Sequence, residues 1–362
     1  MAGLLVVAGL VLLVVGAELL VRGAAQLARA AGLPSLIIGL TVVAYGTSAP
    51  ELAVSLKAGL AGHPDIALGN VVGSNTFNVL FILGASALVA PLAVSAQLVR
   101  LDVPVMVGVS ALAWLLAADG VVGRTEGALL LAGVVAYTAL LIWLGRRRQR
   151  AEDTAAPAAS AAQEGRPLRR QLPAAVVLVA AGLVLLVLGA RWLVRGAAEL
   201  ARWLGASELL IGLTIVAAGT SLPETATSIV ASLRGQRDIA VGNIVGSNIF
   251  NILAVLGASS LAAPGGLAVS RAALHFDVPV MLAVAAVCLP VFFTGGRISR
   301  WEGALLLGYY GAYVAYLVLG ASHHTALPAF SAAMVFFVLP GTVLGLGLSV
   351  VWGLRARKAE HA

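Results

Sequence analysis

This chain of 362 residues is poor in charge and nearly devoid of cysteine. Only 11% of its residues are charged, while 60% are hydrophobic and the mean hydropathy is +1.00. That composition excludes an ordinary water-soluble domain and indicates an integral membrane protein. The single cysteine, Cys288, lies inside an apolar run, so an intrachain disulfide and a thiolate metal cluster are both excluded. Five histidines (His63, His275, His323, His324, His361) share no ligand spacing on a common helix, and the His323–His324 pair reads as a solvated loop. Nothing basic precedes the first apolar run and Arg22 and Arg29 follow it, so a cleaved signal peptide is not expected.

What the chain has instead is long apolar runs, each near the roughly 20 residues a membrane-crossing helix needs. They fall near 3–25, 36–61, 66–92, 101–119, 126–145, 174–196, 208–233, 239–263, 274–294, 302–320 and 328–353. The net charge of +7 is a topology signal rather than a nucleic-acid footprint. If the loop after the fifth run is cytoplasmic, 17 basic residues fall on the inner side and four (Arg124, Arg195, Arg202, Arg271) on the outer. The N-terminus is then outside, and the C-terminus inside, of the cell (inner) membrane. Residues 146–171, rich in Ala, Arg and Glu, read as a flexible cytoplasmic linker with no phosphate-binding, calcium-loop or nucleotide motif.

The chain repeats itself. Residues 39–51 (GLTVVAYGTSAPE) return at 212–224 as GLTIVAAGTSLPE, and residues 67–80 (ALGNVVGSNTFNVL) return at 240–253 as AVGNIVGSNIFNIL, both offset by 173. The match extends to 21–25 with 194–198, to 102–106 with 277–281 and to 126–130 with 302–306. An odd number of spans per repeat carries the chain across the bilayer, so the second copy starts inverted. The expected fold is therefore an all-α integral membrane protein of two inverted five-helix repeats, ten transmembrane helices, plus one extra C-terminal transmembrane helix. The expected divisions are a first repeat over 1–145, the linker over 146–173, a second repeat over 174–320 and the additional helix over 325–354.

A carboxylate in the membrane core is costly, and two at equivalent positions, Glu51 and Glu224, point to one shared site. Pro50 and Pro223 cannot donate to the preceding turn, and Gly46 and Gly219 soften it, so each carboxylate follows a broken helix. Irregular backbone at membrane depth must line a cavity or be buried in protein. The next helix carries Asn70, Ser74 and Asn78 four residues apart on one face, and its copy carries Asn243, Ser247 and Asn251. Carboxylates, hydroxyls, amide oxygens and freed carbonyls make an all-oxygen set suited to hard cations such as Na⁺ and Ca²⁺.

These two motifs, GTSxPE and GNxxGSNxFN, each present twice and in order, resemble the α-repeats of the cation/calcium antiporter superfamily, in its sodium/calcium exchanger branch. The resemblance implies secondary active transport by alternating access, with Na⁺ entry driving Ca²⁺ extrusion, no cofactor and the lipid bilayer as surroundings. It implies Glu51 and Glu224 as central Ca²⁺ ligands, helped by the carbonyls of Thr47 and Thr220. It implies Na⁺ sites from Ala44, Thr47, Ser48 and Ser74 with Ala217, Thr220, Ser221 and Ser247, and Asn78 and Asn251 at the middle. Many exchangers have Asp where this chain has Asn251, which leaves stoichiometry and the use of K⁺ or H⁺ open.

A K⁺-dependent Na⁺/Ca²⁺ exchanger and a H⁺/Ca²⁺ exchanger are the alternatives within transport. A membrane enzyme with Ser48 or Ser221 as nucleophile lacks a recurring His or Lys base, and inverted broken helices favour alternating access over an open pore. Glu18 and Arg191 occupy equivalent positions with opposite charge, so they pair with each other or face solvent. Asp102 and Asp277, each two residues before a proline, suit helix starts or the interface, and Glu126 and Glu302 suit helix starts.

Overall fold

The structure, a computed structural model, describes residues 1–155, 172–205, 211, 214–215, 217–293, 296–345 and 347. In chain order the helices are α1 (Ala2–Ala31), α2 (Ser35–Thr47), α3 (Ala49–Leu60), α4 (Pro64–Val89), α5 (Leu98–Leu116), α6 (Arg124–Ala155), α7 (Leu172–Trp203), α8 (Leu222–Leu233), α9 (Arg237–Ala262), α10 (Ala273–Phe293), α11 (Arg300–Ala321) and α12 (Leu327–Gly345). Among the described residues nine helices are long and apolar enough to cross a membrane, and the bent pair α2–α3 makes a tenth. The expected span near 208–233 lies partly outside the described residues, and α8 is its main described portion. The linker residues 156–171 and positions 346 and 348–353 of the extra helix also lie outside them; the first residues of the expected linker continue α6 as far as Ala155.

The two halves are inverted, and glycine contacts show it directly. α1 and α7 pack with almost no side chain between them. A Cβ on Gly16 would sit 2.9 Å from the carbonyl oxygen of Gly182, and one on Gly9 would sit 2.8 Å from that of Gly189. As the contact moves up α1 it moves down α7, so these equivalent helices run antiparallel. A second glycine pairing, Gly84 with Gly303 and Gly127 with Gly257, joins α4 to α11 and α6 to α9 in the same crossed fashion. Small residues allow such close approach where there is no water to drive helices together.

Among the described residues four two-residue strands follow the same symmetry: β1 (Leu92–Ala93), β2 (Val121–Val122), β3 (Leu267–Ala268) and β4 (Arg297–Ile298). β1 pairs antiparallel with β4, and β2 with β3, so each ribbon ties one half to the other.

α9 and α4 form the centre, with 94% and 72% of their apolar windows buried, whereas α11 (6%) and α12 (0%) lie at the periphery. α12 meets α11 through Tyr309, whose hydroxyl bonds Thr342 and the main-chain oxygen of Val338. Between α10, α11 and α12 lies an apolar cavity of about 320 Å³, which offers no ligand set for a cation.

The expected break in the second span is present: α2 ends at Thr47, α3 starts at Ala49, and their axes differ by 46°. Ser48 at the joint has φ −81° and ψ 7°, and its counterpart Ser221 has φ −89° and ψ 10°. Pro50 then stands in the first turn of α3, where its missing N–H costs nothing. Wide i→i+5 turns, not anticipated from the sequence, begin at Asn78 (Asn78–Leu83) and at Asn251 (Asn251–Leu256). Each inserts an extra residue that rotates the helix face, a device common at functional sites.

Three expectations need revision or refinement. Arg191 is exposed and does not pair with Glu18, which instead accepts from Arg22 and, at 2.8 Å, from Arg234 at the end of α8. Asp102 does precede an α-helical stretch, Val103–Leu116, but it is also fully buried, accepting from the Tyr137 hydroxyl at 3.0 Å. Its partner stands 35 residues away on α6, which local sequence does not reveal. Glu302 does begin its helix, as half of a capping box with Ser299.

Candidate functional site

The broken helices and the two central helices converge, and they exchange side chains across the two-fold relation. Ser48 donates to Oε1 of Glu224 at 2.8 Å, and Ser221 donates to Oε1 of Glu51 at 3.0 Å. Thr47 donates to Oδ1 of Asn243 at 3.0 Å, and Thr220 to Oδ1 of Asn70 at 3.3 Å. Each bond joins one half to the other. The site therefore exists only when the halves are docked.

Asn70 and Asn243 are the braces. The amide nitrogen of Asn70 donates to the main-chain oxygen of Glu51 (3.1 Å) and to Ser55 Oγ (2.8 Å). That of Asn243 donates to the main-chain oxygen of Glu224 (3.3 Å) and to Ser228 Oγ (2.9 Å). Both ends of each amide are thus used, and α3 is fixed to α4 as α8 is to α9. Ser74, Ser247 and the Ala44 carbonyl join the same cluster. Ser74 Oγ lies within hydrogen-bond distance of Ser221 Oγ at 3.2 Å, and the Ala44 carbonyl accepts from Ser247 at 3.4 Å and lies 3.3 Å from the Thr47 hydroxyl. Ala217 opens the short turn Ala217–Gly219 that precedes α8.

Among the described residues eleven buried side-chain polar atoms lack a partner, and four of them belong to expected site residues: Oε2 of Glu51, Oε2 of Glu224, Oδ1 of Asn78 and Oδ1 of Asn251. All four residues are at most 1% exposed. Unpartnered buried acceptors are rare, because each forfeits its solvation without compensation. Here they come in two symmetry-related pairs, two of them on carboxylates. Acceptors without donors, backed by up to two negative charges, suit a cation with oxygen ligands.

Sequence reasoning had put Asn70 and Asn243 on the polar stripe without assigning them a role, and it had passed over Ser55 and Ser228. The latter pair recurs at the 173-residue offset, so the repeat itself was the available signal. Asn75, which bonds Asn251, was passed over for the same reason although GSN recurs intact.

The family model for sodium/calcium exchanger protein matches residues 1–143 and 174–319, well over half of the chain. The chain belongs to the sodium/calcium exchanger family. Similar proteins include the inner membrane protein YrbG of Escherichia coli, 39% identical over 321 residues (88% of this chain and 97% of that protein). The sodium/calcium exchanger MaX1 of Methanosarcina acetivorans is 33% identical over 315 residues, covering 79% of this chain and 89% of that one. Among solved structures, the sodium/calcium exchanger from Methanococcus jannaschii superposes with a TM-score of 0.74 at 29% identity, covering 87% of this chain and 97% of that one. The inverted five-helix architecture is thus shared with a solved exchanger, and the family consists of membrane transporters rather than enzymes.

Proposed function

We propose that this protein is a secondary Na⁺/Ca²⁺ antiporter that carries both ions through the one site shared by its two halves. The observation that carries this reading is the symmetric set of unpartnered oxygens on Glu51, Glu224, Asn78 and Asn251. Two carboxylates balance one Ca²⁺ or two Na⁺, so the ions compete for the same charge. Competition for one site is what couples opposite movements.

In this reading Glu51 and Glu224 are the central Ca²⁺ ligands, with the main-chain carbonyls of Thr47 and Thr220. Na⁺ takes the hydroxyl and carbonyl oxygens of Ala44, Thr47, Ser48 and Ser74 and of Ala217, Thr220, Ser221 and Ser247. Asn78 and Asn251 supply amide oxygens at the middle. The hydrogen bonds from Ser48 and Ser221 to the opposite carboxylates hold one oxygen of each Glu in place and leave the other for the ion. Inverted halves supply two arrangements of equal architecture, one open to each side, which is the basis for alternating access.

The same reading divides the chain into a transporting unit of residues 1–145 and 174–320, a cytoplasmic linker between them and an added helix over 325–354. It puts the N-terminus outside and the C-terminus in the cytoplasm, which the arginine distribution favours. The test is radiocalcium uptake into proteoliposomes under imposed Na⁺, K⁺ and H⁺ gradients in turn. An outward Na⁺ gradient alone should drive uphill uptake. Uptake that needs K⁺ as well, or that follows the H⁺ gradient instead, would assign the K⁺-dependent or the H⁺-coupled alternative.

A further inference from the structure

Asn75 lies on α4 three residues before Asn78 and is 3% exposed, yet its hydrogen bonds go to the other half of the molecule rather than to a carboxylate. Its Nδ2 donates to the main-chain oxygen of Asn248 at 3.1 Å and reaches Sδ of Met281 at 3.7 Å. Its Oδ1 accepts from Nδ2 of Asn251 at 3.1 Å.

These contacts force a chain of orientations. The two ends of an amide have nearly the same shape and opposite chemistry, one donating and one accepting. A main-chain carbonyl can only accept, so Asn75 must turn its NH₂ group to Asn248. Its oxygen then faces Asn251, which must answer with its own NH₂ group. The oxygen of Asn251 is left pointing away from this contact, buried and unpartnered.

We propose that Asn75 is a positioning residue that fixes the amide of Asn251 with its oxygen, rather than its NH₂ group, presented to the transported cation. A flipped Asn251 would aim two N–H dipoles at a positive ion. An aspartate at position 251 would need no such keeper, since both its oxygens are acceptors. The lock is one-sided: the counterpart of Asn75, Asn248, spends its Nδ2 on the carbonyl of Ile244 in its own helix at 2.8 Å. The inference rests on the ion-site reading above, of which it specifies one ligand.

The test is a four-protein cycle of the unmodified chain, Asn75→Ala, Asn251→Asp and the double variant. Equilibrium radiocalcium binding and thermal midpoints are measured on the purified full-length proteins. Asn75→Ala should weaken Ca²⁺ binding about tenfold where residue 251 is Asn, the scale of one lost buried hydrogen bond. Where residue 251 is Asp, the same change should alter binding less than about twofold, while the thermal midpoint falls equally in both backgrounds. A merely structural role would weaken binding by the same factor in both backgrounds, and that result overturns the proposal. So would unchanged binding in Asn75→Ala, or loss of binding in Asn251→Asp alone. Glu51→Gln and Glu224→Gln serve as controls: if these bind Ca²⁺ normally the ion-site reading itself falls, whereas their failure beside an additive cycle removes only the role given to Asn75.

Discussion

Ser48 and Glu224 belong to different halves of the chain, and the hydroxyl of the first holds the carboxylate of the second at 2.8 Å. The relation is reciprocated by Ser221 and Glu51 at 3.0 Å. Each carboxylate is thus oriented by the half that does not carry it. Removing either hydroxyl leaves the opposite Glu with one fewer charge-assisted bond, worth about 1.5–3 kcal/mol. Ser48→Ala and Ser221→Ala should each weaken apparent Na⁺ and Ca²⁺ affinities by about tenfold or more, by similar factors because the two sites are equivalent. Half-saturating concentrations in vesicle flux assays check this, and a large effect of one with none of the other would contradict the symmetry.

The carboxylates themselves carry more. Glu51→Gln and Glu224→Gln keep the size and the hydrogen bonding of the side chain but remove one of two balancing charges. Breaking a buried charge pairing costs about 3–5 kcal/mol, so Ca²⁺ affinity should fall by at least about two orders of magnitude. Folded protein should persist in the membrane, since both side chains sit in cross-half hydrogen bonds that an amide can accept. Size-exclusion behaviour together with radiocalcium flux checks this, and ordinary transport by either variant would refute the shared site.

Asp102 offers the contrast of a buried carboxylate outside the proposed ion-ligand set. It is completely covered and accepts from Tyr137 at 3.0 Å. Asp102→Ala strands that hydroxyl and should cost about 1–3 kcal/mol of stability, whereas Asp102→Asn retains an acceptor and costs less. Transport by the folded fraction should stay near that of the unmodified protein in Asp102→Asn. Thermal unfolding in detergent and flux per folded molecule separate the two effects, and abolished transport in well-folded Asp102→Asn would add Asp102 to the ion pathway.

The legibility of this molecule divides along its own repeat. The motif around Glu51 returns around Glu224, and that alone marked the carboxylates, the broken helices and the inversion. What stayed hidden depends on how the halves dock. Nothing in the sequence says that Ser48 serves Glu224 rather than Glu51, three residues away on its own chain. The choice follows from the break at Ser48, which turns its side chain towards the other half. The wide turns at Asn78 and Asn251 also escaped notice, because an inserted residue leaves the apolar composition of the helix unchanged. Glu18 was misjudged for a related reason: its partner, Arg234, stands 216 residues away and has Ala61 at its equivalent position, so the repeat offered no hint.

The topology proposed from the charge distribution can be tested directly. On the proposed eleven-span topology the termini would lie on opposite sides, the N-terminus outside and the basic tail, with Arg355, Arg357 and Lys358, inside. Cys288 is buried and is replaced first, after which single cysteines at Ala2 and Ala362 are labelled with an impermeant thiol reagent in intact cells. Labelling at position 2 and protection at position 362 are expected. Labelling at both would require an even number of spans.

The crossing of α1 and α7 depends on having no side chain at the contact. A Cβ on Gly182 would come within 2.6 Å of the Leu20 nitrogen and 2.8 Å of the Gly16 oxygen. Both atoms belong to backbone, so neither can rotate aside, and the helices would have to part along their length. Overpacking of this kind costs about 1–3 kcal/mol even for small additions. Gly182→Val should therefore lower the thermal midpoint and depress transport at saturating ion, since α1 also reaches α8 through Glu18 and Arg234, and α8 carries Glu224. Gly311→Ala on α11 is the control: nothing lies within 4 Å of its added Cβ, and helix propensity favours the change by up to about 1 kcal/mol. Flux and unfolding measured side by side decide the matter. If Gly182→Val matches Gly311→Ala in both, the close crossing of α1 and α7 is not what holds these helices in their working arrangement.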